Sequence, residues 1–398
     1  MSTHARALGN GSSNPAFDEM ILVDQHSRHP KTLNPVKEST GRQSQSPYIP
    51  TLDGWRAVAV CLVIGAHCDN MLRNNGSWLA MRFVAVFTHA GYGVDIFFAL
   101  SGFLICTLLL REKERLQTIS ISRFYTRRVF RILPPMFLYV IVVSCLSISR
   151  LIPNIGKSEL FAVLFFYRDY AVGTWYTAHF WSLAVEEHFY LFAPLFILLL
   201  DRKWAIRSAI ILIAACIGIR YVEFAHGMFP GTFIQFRTEN RFDGLLWGSL
   251  LAFIMRSSSA EKWLREHLSL PIFVGTIIAA AVLLEVFESQ PSRRTIVACA
   301  MPILIAYTVL NSNSIVGRFL ELPILKWIGR ISYSLYLWQT LFLPPVARPL
   351  GVFQAFPLAL LAAVICASLS FYLVEKPMMV LGHRLAGSPS AGSLRRFA

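Results

Sequence analysis

Ten stretches of this chain, at roughly 55–72, 92–110, 132–150, 179–200, 204–222, 242–256, 270–288, 295–311, 327–347 and 356–379, approach the twenty mostly apolar residues that a bilayer crossing needs. In lipid no water satisfies backbone N–H and C=O groups, so a lone apolar run must close its hydrogen bonds internally as a helix. The expected fold class is therefore all-α: a polytopic membrane protein of about ten transmembrane helices. Segment 158–174 is shorter and carries Arg168 and Asp169, and it reads as a partial or re-entrant helix.

Composition and charge agree with that frame. Of 398 residues, 55% are hydrophobic and 15% charged, whereas a soluble domain is about 25% charged. The net charge of +14 is assigned to cytoplasmic loops and anionic lipid headgroups rather than to nucleic acid. The densest basic cluster is Arg111, Lys113, Arg115, Arg123, Arg127, Arg128 and Arg131. The positive-inside rule puts this cluster in the cytoplasm, and ten crossings then leave both termini there. If 158–174 also crossed, the later basic stretches would all face outward. Residues 1–50, rich in Ser, Asn, Pro and charge and without a signal-type apolar core, read as a disordered cytoplasmic tail. Residues 51–380 form the membrane domain and 381–398 a short cytoplasmic tail. The seven cysteines lie within or beside apolar segments without metal-ligand spacing, so they read as packing residues and no metal is expected.

Ionisable residues within spans are costly unless they pair or line a water-filled cavity. Here they are Asp53, Arg56, His67, Asp95, Glu186, Glu187, His188, Arg241, Asp243 and Glu375. Arg56 and His67 are eleven positions apart, about three helical turns or ~16 Å, and so share a face. An imidazole titrates near neutral pH and suits proton abstraction, which makes His67 the leading candidate base. The alternative is a core histidine bonded to a neighbouring helix. Glu186 and Glu187 point about 100° apart, so only one of them can face a given cavity. Ser182, Glu186 and Tyr190 are spaced four apart and form a polar stripe expected to face inward.

The run Arg123 to Pro135 has two readings: a cytoplasmic anchor, or a phosphate site in which Arg127, Arg128 and Arg131 meet a phosphorylated cytoplasmic cofactor. Gly91 to Ile105 lacks the glycine spacing of a nucleotide loop. Its small residues suit close helix packing, with Asp95 and Ser101 as polar exceptions.

Together these segments resemble the acyltransferase type 3 family of integral membrane acyl-CoA transferases. The likeness runs from about residue 50 to 380. It rests on Leu52-Asp-Gly-Trp-Arg56 followed by His67, Gly93-Val-Asp95 through Ser101-Gly102, and Arg127-Arg-Val-Phe-Arg131. It continues through Trp181-Ser-Leu-Ala-Val-Glu186-Glu187, Arg241-Phe-Asp243-Gly, Gly329-Arg-Ile-Ser332-Tyr333 and Val374-Glu375-Lys-Pro377. Two positions depart from the family pattern: Gln339 stands where a histidine is usual, and His188 replaces a commoner glutamine. Some members carry a hydrolase-like domain after the last span. The sequence here stops about twenty residues past that point, and a member without the domain must acylate its acceptor itself or pass the group to a partner.

The resemblance implies transfer of an acyl group, acetyl above all, from acyl-CoA to a hydroxyl of a carbohydrate or glycosylated acceptor. Under this reading His67 is the base or a transient acyl carrier, and Arg56 assists the cofactor or polarises the carbonyl. Glu186 tunes the histidine with Asp95 in support, and Arg127, Arg128 and Arg131 hold the cofactor's phosphates. Acyl-CoA is a co-substrate and no cofactor is permanently bound. The expected setting is the bacterial inner membrane, with lipids as partners and no nucleic acid. The competing reading is a transporter or lipid-linked sugar flippase, for which internal repeats are common; none is apparent. A receptor or assembly scaffold is a third.

Overall fold

The computed structural model describes residues 48–73, 92–228, 233–287, 289–345 and 348–387. Most of both sequence-predicted tails lies outside these residues. The described residues are mostly helical and contain no strand. The long helices are α1 (Pro50–Arg73), α2 (Gly93–Leu116), α3 (Ile121–Ile148), and, after the short α4 (Lys157–Leu164) and α5 (Trp175–Ala178), α6 (Phe180–Leu199). Then come α7 (Arg202–Ala225), α8 (Thr238–Met255), α9 (Ser258–His267), α10 (Leu270–Val286), α11 (Gln290–Leu310), α12 (Ile315–Leu320) and α13 (Pro323–Phe342). The last is α14 (Leu358–Ser370), which passes through a π-helical turn at Phe371–Glu375 into α15 (Lys376–Leu385).

Helix starts follow local chemistry. Prolines sit in the first turns of α10, α11 and α13, where a missing N–H costs nothing. The Asp201 side chain caps α7 by accepting from Trp204 N at 2.8 Å, and Ser314 caps α12 by accepting from Gly317 N at 3.1 Å.

A helix forms at each of the ten expected segments, but fewer qualify as spans by length and composition. Six are long and apolar enough to cross a membrane, or seven if α9 and α10, bent by 82°, count as one. The three below that mark are α1, α8 and α13. They carry Asp53, Arg56 and His67; Arg241 and Asp243; and Ser332, Tyr333 and Gln339. Polar residues turned toward protein lower a helix's mean apolarity without exposing charge to lipid. Segment 158–174 forms only the eight-residue α4 and a loop, about 12 Å of helix and too short to cross.

Glycines set the closest helix contacts. A Cβ at Gly329 would stand 1.9 Å from the Asp53 carbonyl oxygen, so α13 meets α1 backbone to backbone. Gly102 and Gly248 do the same between α2 and α8, at 1.9 Å from Leu245 O and 2.0 Å from Ala99 O. Pairing also gives direction. Asp95 meets Arg241, Phe98 meets Gly244 and Glu114 meets Arg256, so α2 and α8 run parallel. Asp53 against Gly329 and His67 against Gln339 make α1 and α13 parallel as well.

Candidate active site

The inward faces of α1, α2, α3, α6 and α13 enclose a cleft. Its walls include Arg56, Val94, Ser101, Arg128, Arg131, Ser182, Glu186, Tyr190, Ser332, Tyr333 and Tyr336. The Ser182–Glu186–Tyr190 stripe of α6 thus lines one wall, as helical spacing requires. Tyr190 donates to Glu186 Oε2 at 2.8 Å, and the Arg128 guanidinium lies over the Tyr190 ring at 5.2 Å. The Arg56 guanidinium is held through Nη1 by Asp53 Oδ1 at 3.3 Å, and Asp53 in turn accepts from Tyr48 at 2.8 Å. Three guanidiniums therefore surround one open space with Glu186 as the nearest carboxylate on its wall, an arrangement suited to a polyanion.

Glu375, reached through the π-helical turn, adds a buried carboxylate behind Ser334, from which Oε2 accepts at 2.7 Å. π-turns recur at functional sites because they re-aim side chains.

His67 is not on the wall of this cleft. Its Nδ1 lies 2.6 Å from Gln339 Oε1, and its ring packs edge-on against Trp175 at 4.8 Å. An amide oxygen can only accept, so Nδ1 carries the proton, and in the neutral ring Nε2 keeps its lone pair. Gln339 is fully buried and its Nε2 has no partner among the described residues. Two N–H donors thus stand beside the imidazole uncommitted.

The cleft and the histidine are joined along α13. Ser332, Tyr333 and Tyr336 line the cleft, and Gln339 and Thr340 follow one turn on. Tyr336 donates to the His179 carbonyl at 3.1 Å, and Thr340 Oγ1 meets His179 Nδ1 at 3.1 Å. Thr340 also shares a 2.8 Å bond with the Tyr139 hydroxyl, while its carbonyl accepts from Trp175 Nε1 at 2.8 Å. This web fixes Trp175 and hence the face against which His67 rests. His179 was absent from the sequence-derived candidates although it begins the α6 segment. Its Nε2 is buried without a partner among the described residues.

Four other sequence candidates stand elsewhere. Arg127 turns from the cleft to Glu112 at 3.5 Å, and Glu112 also accepts from Ser120 N at 2.9 Å. Asp95 is buried between Arg241 and Arg294 at 2.9 and 3.0 Å. Glu187 lies off the cleft with Oε1 unpartnered. His188 meets Thr238 Oγ1 at 2.6 Å on the opposite side of α6, beside loop residue Asp169, whose carboxyl is pushed up by burial. Among the described residues no three His, Cys, Asp or Glu side chains converge as metal ligands, and all seven cysteines are free.

The bundle holds a cationic cleft and, farther along α13, the His67 and His179 imidazoles, and the sequence shows the family directly. The acyltransferase domain profile matches residues 49–375. The chain belongs to this acyltransferase family and is a multi-pass membrane protein. It is similar to peptidoglycan O-acetyltransferase OatA of Listeria monocytogenes, 30% identical over 371 residues, covering 83% of this chain and 56% of that protein. It is similar too to O-acetyltransferase OatA of Staphylococcus aureus, 29% identical over 378 residues, covering 85% and 58%. The chain thus spans little more than half the length of these relatives. No solved structure matches it.

Proposed function

We propose that this chain is an integral membrane O-acetyltransferase that moves an acetyl group from acetyl-CoA to a hydroxyl of a carbohydrate or glycosylated acceptor. The observation that carries this reading is that one helix, α13, lines the arginine cleft with Ser332, Tyr333 and Tyr336 and holds His67 through Gln339. Arg56 and His67 stand about 16 Å apart along α1, a separation suited to a donor with anionic phosphates at one end and a thioester at the other. The relatives' names supply the acetyl group, and that of the Listeria protein a cell-wall glycan.

In the mechanism, Arg128 and Arg131 hold the donor's phosphates and Arg56 guides it inward. The Nε2 lone pair of His67 takes the proton of the acceptor hydroxyl as its oxygen attacks the thioester carbonyl. The oxyanion that forms is met by the free amide N–H groups of Gln339. Collapse of the tetrahedral intermediate breaks the C–S bond. The imidazolium returns its proton to the departing thiolate, giving ester and free CoA. Glu186, Asp95 and the Thr340–His179 web act at a distance by fixing charge and ring positions.

All ten segments cross in this reading, including the polar α1, α8 and α13. The parallel pairs support it. Alternating crossings make α1 and α13 the first and ninth spans, and α2 and α8 the second and sixth, provided that 158–174 does not cross. The basic stretch from Arg111 to Arg131 then lies in the cytoplasm with both termini, and the cleft opens to cytoplasmic acetyl-CoA. A bacterial inner membrane fits this arrangement.

Comparison of glycans from cells with and without the gene tests the function. A loss of mass equal to an acetyl group on a carbohydrate supports it; identical glycan masses, with labelled substrate merely relocated across the membrane, support a transporter instead.

A further inference from the structure

Beside the Val94 end of the cleft, buried positive charge exceeds buried negative charge among the described residues. Asp95, 4% exposed, is ion-paired with Arg241 through Oδ1 at 2.9 Å and accepts from Arg294 Nη1 through Oδ2 at 3.0 Å. One carboxylate therefore faces two guanidiniums. The adjoining Arg220–Asp243 pair, closed at 2.5 Å, is balanced and has no negative charge to spare. Arg241 and Arg294 each retain a buried Nε with no acceptor among the described residues. The rings of Phe98 and Trp181 under Arg241, and of Tyr92 under Arg294, hold the guanidinium planes but offer no lone pairs to their N–H edges.

An unmatched guanidinium inside a membrane protein is costly unless something anionic comes to it. The cluster adjoins the cleft: Arg241 lies over the Trp181 ring, and the next residue, Ser182, lines the cleft and bonds the Tyr336 hydroxyl. The start of α2 packs on α1 midway between Arg56 and His67, since Gly93 meets Ala59 and Val63. Arg294 keeps 14% of its side-chain surface open and is the accessible member.

We propose that Arg241 and Arg294 form an anion site that holds an acidic group of the acceptor, a carboxylate or phosphate on a sugar, while a neighbouring hydroxyl is presented to His67. The idea rests on the acetyltransfer reading and names its substrate class. Asp95 positions both guanidiniums and leaves their outer edges to pair with the ligand in the bidentate manner arginine favours.

The test uses the full-length protein in detergent with acetyl-CoA and three probes: glucuronic acid, glucuronamide and glucose 6-phosphate. The wild type is expected to bind the acid or the phosphate at least about tenfold more tightly than the amide, read as thermal stabilisation, and to acetylate it with the same preference. Arg294→Gln should bring the preference to within about threefold, and Arg294→Lys should restore part of it. Preference for the acid names a carboxylate and preference for the phosphate names a phosphoryl group; either supports the site. Equal binding of all three by the wild type, or an undiminished preference in Arg294→Gln, overturns it. Selective binding without transfer to any sugar would leave the anion site standing while removing the acetyltransfer reading. An unaltered melting temperature without ligand confirms that Arg294→Gln is folded.

Discussion

His67 Nδ1 and Gln339 Oε1 lie 2.6 Å apart, joining α1 to α13 across 272 positions of sequence. The contact fixes the imidazole tautomer and brings an amide with free N–H groups to the same spot. Gln339→Ala should therefore lower kcat by ~10²-fold, the scale of losing one oxyanion donor, and leave the apparent affinity for acetyl-CoA nearly unchanged. Steady-state kinetics at saturating donor check this. A change confined to KM would make Gln339 a binding residue.

The three neighbouring arginines should separate by role. Arg128→Ala or Arg131→Ala removes a charged contact to phosphate worth about 1.5–3 kcal/mol, so KM for acetyl-CoA should rise about 10- to 100-fold with kcat less affected. Arg127→Ala breaks only the partly exposed Glu112 pair and should leave KM as it is. Measured KM values decide; a large effect of Arg127 alone would contradict the placement.

The base assignment makes a pH prediction. Only the unprotonated imidazole accepts the hydroxyl proton, so log kcat/KM should fall on the acid side with a slope of about one per pH unit. This limb should be absent from residual activity of His67 variants. A flat acid limb in the wild type would exclude a titrating base.

Helix packing is testable away from the chemistry. A Cβ at Gly102 would meet the Leu245 carbonyl at 1.9 Å, backbone that cannot move aside as a side chain can. Gly102→Ala should cost about 1–3 kcal/mol. Asp243→Ala should cost more, about 3–5 kcal/mol, because it strands the fully buried Arg220. Thermal melts in one detergent rank the two.

Much of this architecture is visible in the sequence, because apolar length and helical period are local properties. The ten segments appear as helices, α4 is too short to cross, and four-residue spacing puts Ser182, Glu186 and Tyr190 on one wall with Glu187 turned away. Tertiary pairing is not local. Arg127, Arg128 and Arg131 look alike as letters, and only the position of Glu112 on α2 separates the first from the others. The same holds for Asp95, claimed by arginines from two other helices, and for His179, whose importance depends on Thr340 across the bundle. Even the span count is affected, since α1, α8 and α13 lose apolarity through the residues that face the interior.

The most direct test of the account is single-turnover transfer of [¹⁴C]acetyl from acetyl-CoA to a glycan by the purified protein and its His67→Ala variant, with CoA binding measured on both. The predicted result is labelled glycan from the wild type only, with CoA bound equally by each. Labelled glycan formed by His67→Ala at the wild-type rate would contradict it.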